Sequence, residues 1–120
     1  MTSRIAQITL DVIDPEREAE FWSQALGYRI ERGDGRSIHL VSYGGEPSDR
    51  PTIWLQPVTE LKHPKNRCHP DLTADDPRAE VDRLISLGAS RTDVGQTGTE
   101  DFAVLQDPGG NEFCVLGVRS

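Results

Sequence analysis

The chain has only two cysteines, Cys68 and Cys114, in 120 residues. That is too few for a disulfide framework, so the fold must be held by its core. No apolar run approaches the roughly 20 residues that cross a bilayer. The leading segment Met1-Thr2-Ser3-Arg4-Ile5-Ala6-Gln7 has no apolar stretch of the secretory kind. Basic residues are scarce: 13 Lys and Arg stand against 20 Asp and Glu, a net charge of −7. This balance argues against binding a phosphate backbone or anchoring on an anionic membrane. Neither a glycine-rich phosphate loop nor a serine or cysteine triad is legible. These absences lead us to expect a soluble cytoplasmic protein with neither nucleic acid nor membrane as its partner.

What is present is an ordinary globular composition. Hydrophobic residues make up 35%, and 11 glycines bring the apolar share near the usual level. The length suits one compact domain, or two small halves sharing a core.

The chain repeats itself. Asp14-Pro15 recurs as Asp76-Pro77, 62 residues later. Asp is a good helix N-cap and Pro fits the first helical turn. Each helix should end at Leu-Gly, at Leu26-Gly27 and Leu87-Gly88, with Gly suited to a left-handed cap. Ala19, Trp22, Ala25 and Leu26 form one apolar stripe, and Val81, Leu84, Ile85 and Gly88 form the other. Glu16, Arg17, Glu18 and Glu20, like Arg78, Glu80, Asp82 and Arg83, mark the charged faces.

Strand patterns surround the helices. In the first copy they cover residues 5–12, 28–32, 37–43 and 52–58, with Asp34-Gly35 as a hairpin turn. In the second they cover residues 67–74, 90–94, 101–105 and 112–118, with Asp107-Pro108-Gly109-Gly110-Asn111 as a tight turn. The order is βαβββ twice. A ferredoxin-like βαββαβ arrangement competes, but the stretches after each helix hold three strands more naturally than two. The expected class is α+β: a single domain over residues 1–120, with module one at about 1–59, a connector at 60–66 and module two at about 67–120.

The doubled βαβββ order, the Asp-Pro helix starts, the stretch Lys65 to Leu72 and the stretch Asp107 to Cys114 together resemble the vicinal oxygen chelate superfamily, specifically its glyoxalase-like domain branch. That superfamily includes glyoxalase I, bleomycin-resistance proteins and extradiol dioxygenases. The resemblance implies a curved, cup-like mixed sheet, a small-molecule ligand, often a divalent metal, and a homodimer. Carried over by position, the metal-ligand places fall on Gln7 and His69 in the leading strands, and on Trp54 and Cys114 in the trailing ones. Neither of the latter is a carboxylate. A divalent metal would have only Gln7 and His69 as matching ligands, so no metal is expected and a glyoxalase I reaction is disfavoured. A shift of two residues would substitute Gln56 and Glu112.

The candidate site therefore comprises Gln7, Trp54, Gln56, His69, Asp71, Glu112 and Cys114. His69 and Glu112 are the candidates for moving protons. Each residue also has a structural reading. His69 could be satisfied by a neighbour, Cys114 could be a buried small hydrophobe, and Asp71 and Glu112 could be rim charges or partners of Arg67. Trp54 could stack on a planar ligand or pack in a core or interface, whereas Trp22 belongs to the core. Cys68, next to His69, should face the helix side of the sheet. His39 and Tyr43 lie on an inner strand with undetermined parity, and His63 lies in the connector. Three functions are open: an enzyme of the glyoxalase-like branch, a non-catalytic binder that sequesters a drug-like or natural-product molecule, and, least favoured, a structural or regulatory domain with no ligand of its own.

Overall fold

A computed structural model describes residues 5–33, 35–42, 50–60, 66, 68–92 and 101–118. The order is β1 (Gln7–Val12), α1 (Pro15–Leu26), β2 (Tyr28–Arg32), β3 (Ile38–Ser42), β4 (Thr52–Pro57), β5 (Asp71–Leu72), α2 (Pro77–Leu87), β6 (Ser90–Arg91), β7 (Phe102–Gln106) and β8 (Glu112–Leu116). This is βαβββ twice. The chain divides into two compact units, Met1–Leu61 and Lys62–Ser120. Among the described residues, no helix is long and apolar enough to cross a membrane.

The helix ends follow their side chains. Asp14 Oδ1 accepts the Arg17 amide at 3.2 Å, and Asp76 Oδ1 accepts the Ala79 amide at the same distance. Pro opens each helix, where its missing N–H costs nothing. Gly27 closes α1 with φ +69 and returns its amide to the Ser23 carbonyl. A side chain would be strained at that angle.

Each unit carries one four-stranded mixed sheet, ordered β1-β4-β3-β2 in the first and β5-β8-β7-β6 in the second. The outer pairs β1·β4 and β5·β8 are parallel, and the rest are antiparallel. The described strands thus form two separate sheets, and their hydrogen bonding does not close them into one curved cup.

Register divides each sheet into two faces. In the first unit, Ile8, Leu10 and Val12 share a face with Ile53, Leu55, Ile38 and Leu40. This is the face α1 covers, and Leu40 and Leu55 are completely buried there. In the second unit, Leu72, Ala103, Leu105, Phe113 and Val115 form the corresponding layer, and α2 lies against β8. Leu105, Phe113 and Val115 are completely buried.

The helical stripes need correction. Ala19, Trp22, Val81 and Leu84 are buried as expected, but α1 also buries Glu18 and Phe21. Its buried arc is therefore wider than one stripe, and the rings of Phe21 and Trp22 meet edge-on at 5.0 Å. Ile85 is 38% exposed, because α2 buries only Val81 and Leu84.

In module two, β5 and β8 are shorter than their sequence pattern suggests. β5 holds only Asp71 and Leu72, although the Pro70 carbonyl still accepts the Cys114 amide at 2.9 Å. Pro70 has no N–H to give, which suits an edge strand. Cys68 lies before β5 and is exposed, rather than turned toward the helix as expected. Neither cysteine is in a disulfide. Tyr43, His63 and Arg67 lie outside the described residues, as do most of the connector and the loop at 44–49.

Candidate functional site

The face of the first sheet turned away from α1 is built from Gln7, Thr9 and Asp11 on β1, Thr52, Trp54 and Gln56 on β4, His39 on β3, and Arg29 and Glu31 on β2. Val41 shares this face and is buried, so the face is polar around one apolar side chain and only partly covered. Strand alternation sends these residues one way while their apolar neighbours meet the helix. Thr52 pairs with Gln7, and its hydroxyl lies 3.3 Å from Gln7 Oε1. Gln56 pairs with Asp11.

Trp54 occupies the centre of β4. Its indole N–H donates to Gln56 Oε1 at 2.9 Å. An indole nitrogen can only donate, so the chemistry fixes which end of the Gln56 amide faces it. His39 stands directly across from Trp54, with ring centroids 5.5 Å apart and planes at 57°. His39 Nε2 is shielded from solvent and makes no hydrogen bond, while Nδ1 lies 3.9 Å from Glu31 Oε1, beyond hydrogen-bond length. Glu31 is itself paired with Arg29.

The corresponding face of the second sheet carries Asp71 on β5, Glu112 and Cys114 on β8, and Val104 and Gln106 on β7. Asp71 pairs with Cys114 and is exposed, whereas Cys114 is 7% exposed and Glu112 only 4%. Glu112 Oε1 accepts the Asn66 backbone amide at 2.8 Å. His69 Nε2 lies 3.1 Å from the Asn66 carbonyl. A carbonyl only accepts, so Nε2 carries the hydrogen. Both backbone polar groups of Asn66 are thus held, by Glu112 on one side and His69 on the other. The turn before β8 is set by buried Asp107, whose Oδ1 accepts the amides of Gly109 and Asn111 at 3.0 and 2.8 Å.

The structure thus brings Trp54 and Gln56 into direct contact on one sheet, with Gln7 two positions away along the β1·β4 pair. It places Asp71, Cys114 and Glu112 on one face of the other sheet and ties His69 and Glu112 to a common residue. His39 and Asn66 were not singled out as site residues by sequence reasoning. The parity of His39 becomes visible only through its register with Trp54, and no signal marks Asn66. The residues at the metal positions do not fit a divalent ion. An indole offers no lone pair for a cation, a glutamine amide is a weak ligand, and His69 and Cys114 alone fall short of a ligand set. Among the described residues, no three His, Cys, Asp or Glu side chains gather into a metal-holding group.

No curated protein matches the chain in sequence. Solved structures share its fold. Glyoxalase I of Leishmania major is similar with a TM-score of 0.71 and 21% identity, over 98% of this chain and 88% of that one. A glyoxalase-related enzyme from Fulvimarina pelagi gives 0.67 and 15%, over 96% and 88%. The antibiotic-binding protein TnmS3 from Streptomyces sp. CB03234 gives 0.61 and 21%, over 96% and 95%. The glyoxalase-like domain family matches residues 7–116, nearly the whole chain. With its doubled βαβββ order, the chain belongs to this family, within the vicinal oxygen chelate superfamily.

Proposed function

We propose that the protein binds a small organic molecule on the open faces of its sheets without using a metal, as a sequestering binder rather than a glyoxalase I. The observation that carries this reading is Trp54, an indole hydrogen-bonded to Gln56 where the family resemblance would place a ligand carboxylate. A carboxylate there would serve a cation or a proton, whereas an indole serves a flat apolar surface. That an antibiotic-binding protein shares this fold supports a binder. Gln7, Asp71 and Cys114 join the proposed contact set, and a homodimer and a cytoplasmic location belong to the same proposal.

The test is a thermal-shift screen of metabolites and drug-like aromatics, neutral and cationic, run with and without divalent metal. A ligand at about 100 times its Kd should add about 2.7 kcal/mol of stability and raise Tm. The reading fails if only metal-loaded protein responds, or if no compound shifts the transition.

Catalysis is the second reading, favoured by His69, whose Nε2–H is held by the Asn66 carbonyl. Glu112 would then share the proton work. His69→Ala separates the two: it abolishes turnover if the protein is an enzyme and changes only affinity if it is a binder.

A further inference from the structure

We propose that Trp54, His39 and Gln56 form a subsite for a neutral, flat aromatic ring system bearing a carbonyl-type hydrogen-bond acceptor at its rim. This deepens the small-molecule reading above and rests on it.

Three observations converge. First, Trp54 is half-buried on a face where Gln7, Thr9, Asp11 and Thr52 lie along β1 and β4 and Val41 on β3 is buried, so the exposed apolar ring area stands mostly among polar neighbours. Covering it with another ring recovers hydrophobic and stacking energy. His39 bounds the indole on one side, and its shielded Nε2 shows that water is already excluded from that edge of the pair.

Second, the indole N–H engages Gln56 Oε1. The amide is thereby oriented, and its NH2 makes no hydrogen bond to the described residues. Gln56 therefore presents donors, and what it reads is an acceptor.

Third, charge selects the kind of acceptor. Asp11 is the strand partner of Gln56, and Glu31 is compensated by Arg29. A carboxylate ligand beside Gln56 would face the Asp11 charge, whereas a ketone, lactone or amide oxygen would not.

The test uses the full chain, uniformly 15N-labelled, titrated by NMR with coumarin, with indole as a ring lacking a carbonyl, and with coumarin-3-carboxylate as the anion. The chain has two tryptophans, so Trp54→Phe assigns the indole signals. Coumarin should move the Trp54 indole and Gln56 side-chain signals and bind about fivefold more tightly than indole, the worth of one hydrogen bond in water. Coumarin-3-carboxylate should bind more weakly than coumarin. Gln56→Leu should bring coumarin and indole to equal affinity. Trp54→Ala should weaken both by about tenfold, with the Trp22 indole signal unmoved as the check that the fold is intact.

Equal affinity for coumarin and indole in the unaltered protein would overturn the acceptor assignment, as would preference for the anion. Shifts confined to the second unit would overturn the subsite while leaving small-molecule binding in place. No response to any of the three probes would also overturn the subsite, and the wider thermal-shift screen decides separately whether the protein binds other molecules.

Discussion

The two sheets have the same strand order and equivalent registers, yet they are alike on only one face. Toward the helices, Leu40, Ile53 and Leu55 in module one correspond to Leu105, Phe113 and Val115 in module two, all buried and apolar. On the other face, Trp54 and His39 correspond to Cys114 and Val104, and Thr52 corresponds to Glu112. Module one thus presents rings and amides, and module two a small thiol and a carboxylate held by backbone. The layer that stabilises each module is mostly apolar, with Ser42 and Glu18 as buried exceptions in module one, whereas the opposite layer carries the differing chemistry.

The largest effect should fall on what the modules share. Leu55→Ala and Leu105→Ala each remove a completely buried side chain and should cost about 2–5 kcal/mol, read by urea denaturation. If one costs much less than the other, the equivalence of the two inner layers is broken.

The next effect separates the outer faces. Glu112→Ala strands the Asn66 amide and should cost about 1–3 kcal/mol. Thr52→Val, at the equivalent place in module one, should stay within about 0.5 kcal/mol. Equal costs would mean that Glu112 does not hold its segment as described.

Two pH limbs sharpen the contrast further. Burial raises the Tyr28 phenol above its ordinary value, and its hydroxyl donates to the Pro51 carbonyl at 2.8 Å. Because the folded value is raised, the contribution is complete below the unfolded phenol value and is lost as pH rises through the folded one. Tyr28→Phe should flatten that part of the alkaline limb in a stability-versus-pH series.

In module two, the Arg83 guanidinium hydrogen-bonds Glu80 and holds its carboxyl below the ordinary range. The sign is opposite: stability is present above the unfolded carboxylate value and falls as acid protonates Glu80. Glu80→Gln should remove this small acid-limb term, about 0.3–0.5 kcal/mol for such a helical pair.

Much of the fold was legible because its signals are local. Asp14-Pro15 and Asp76-Pro77 cap helices through their own side chains, and β2 begins and ends where the pattern places it. The misreadings arise where neighbours decide. Glu18 was placed on a charged face yet is buried, because α1 is covered over a wider arc. Ile85 fits the stripe but stays 38% exposed. At the site, strand alternation puts Trp54 and Gln56 side by side, but no spacing rule reveals that His39 lies opposite them. That depends on which strand pairs with which, and at what offset. The tie from Glu112 and His69 to Asn66 crosses from β8 to a loop, and no sequence pattern encodes it.

That tie has a consequence for how opening can be watched. Asn66 lies outside every helix and strand, where amide protons ordinarily trade with solvent quickly. With its proton held by a nearly inaccessible carboxylate, it should exchange slowly in deuterated water, at the pace at which β8 lets go. A single loop amide would then serve as a clock for the loosening of the second half of the molecule.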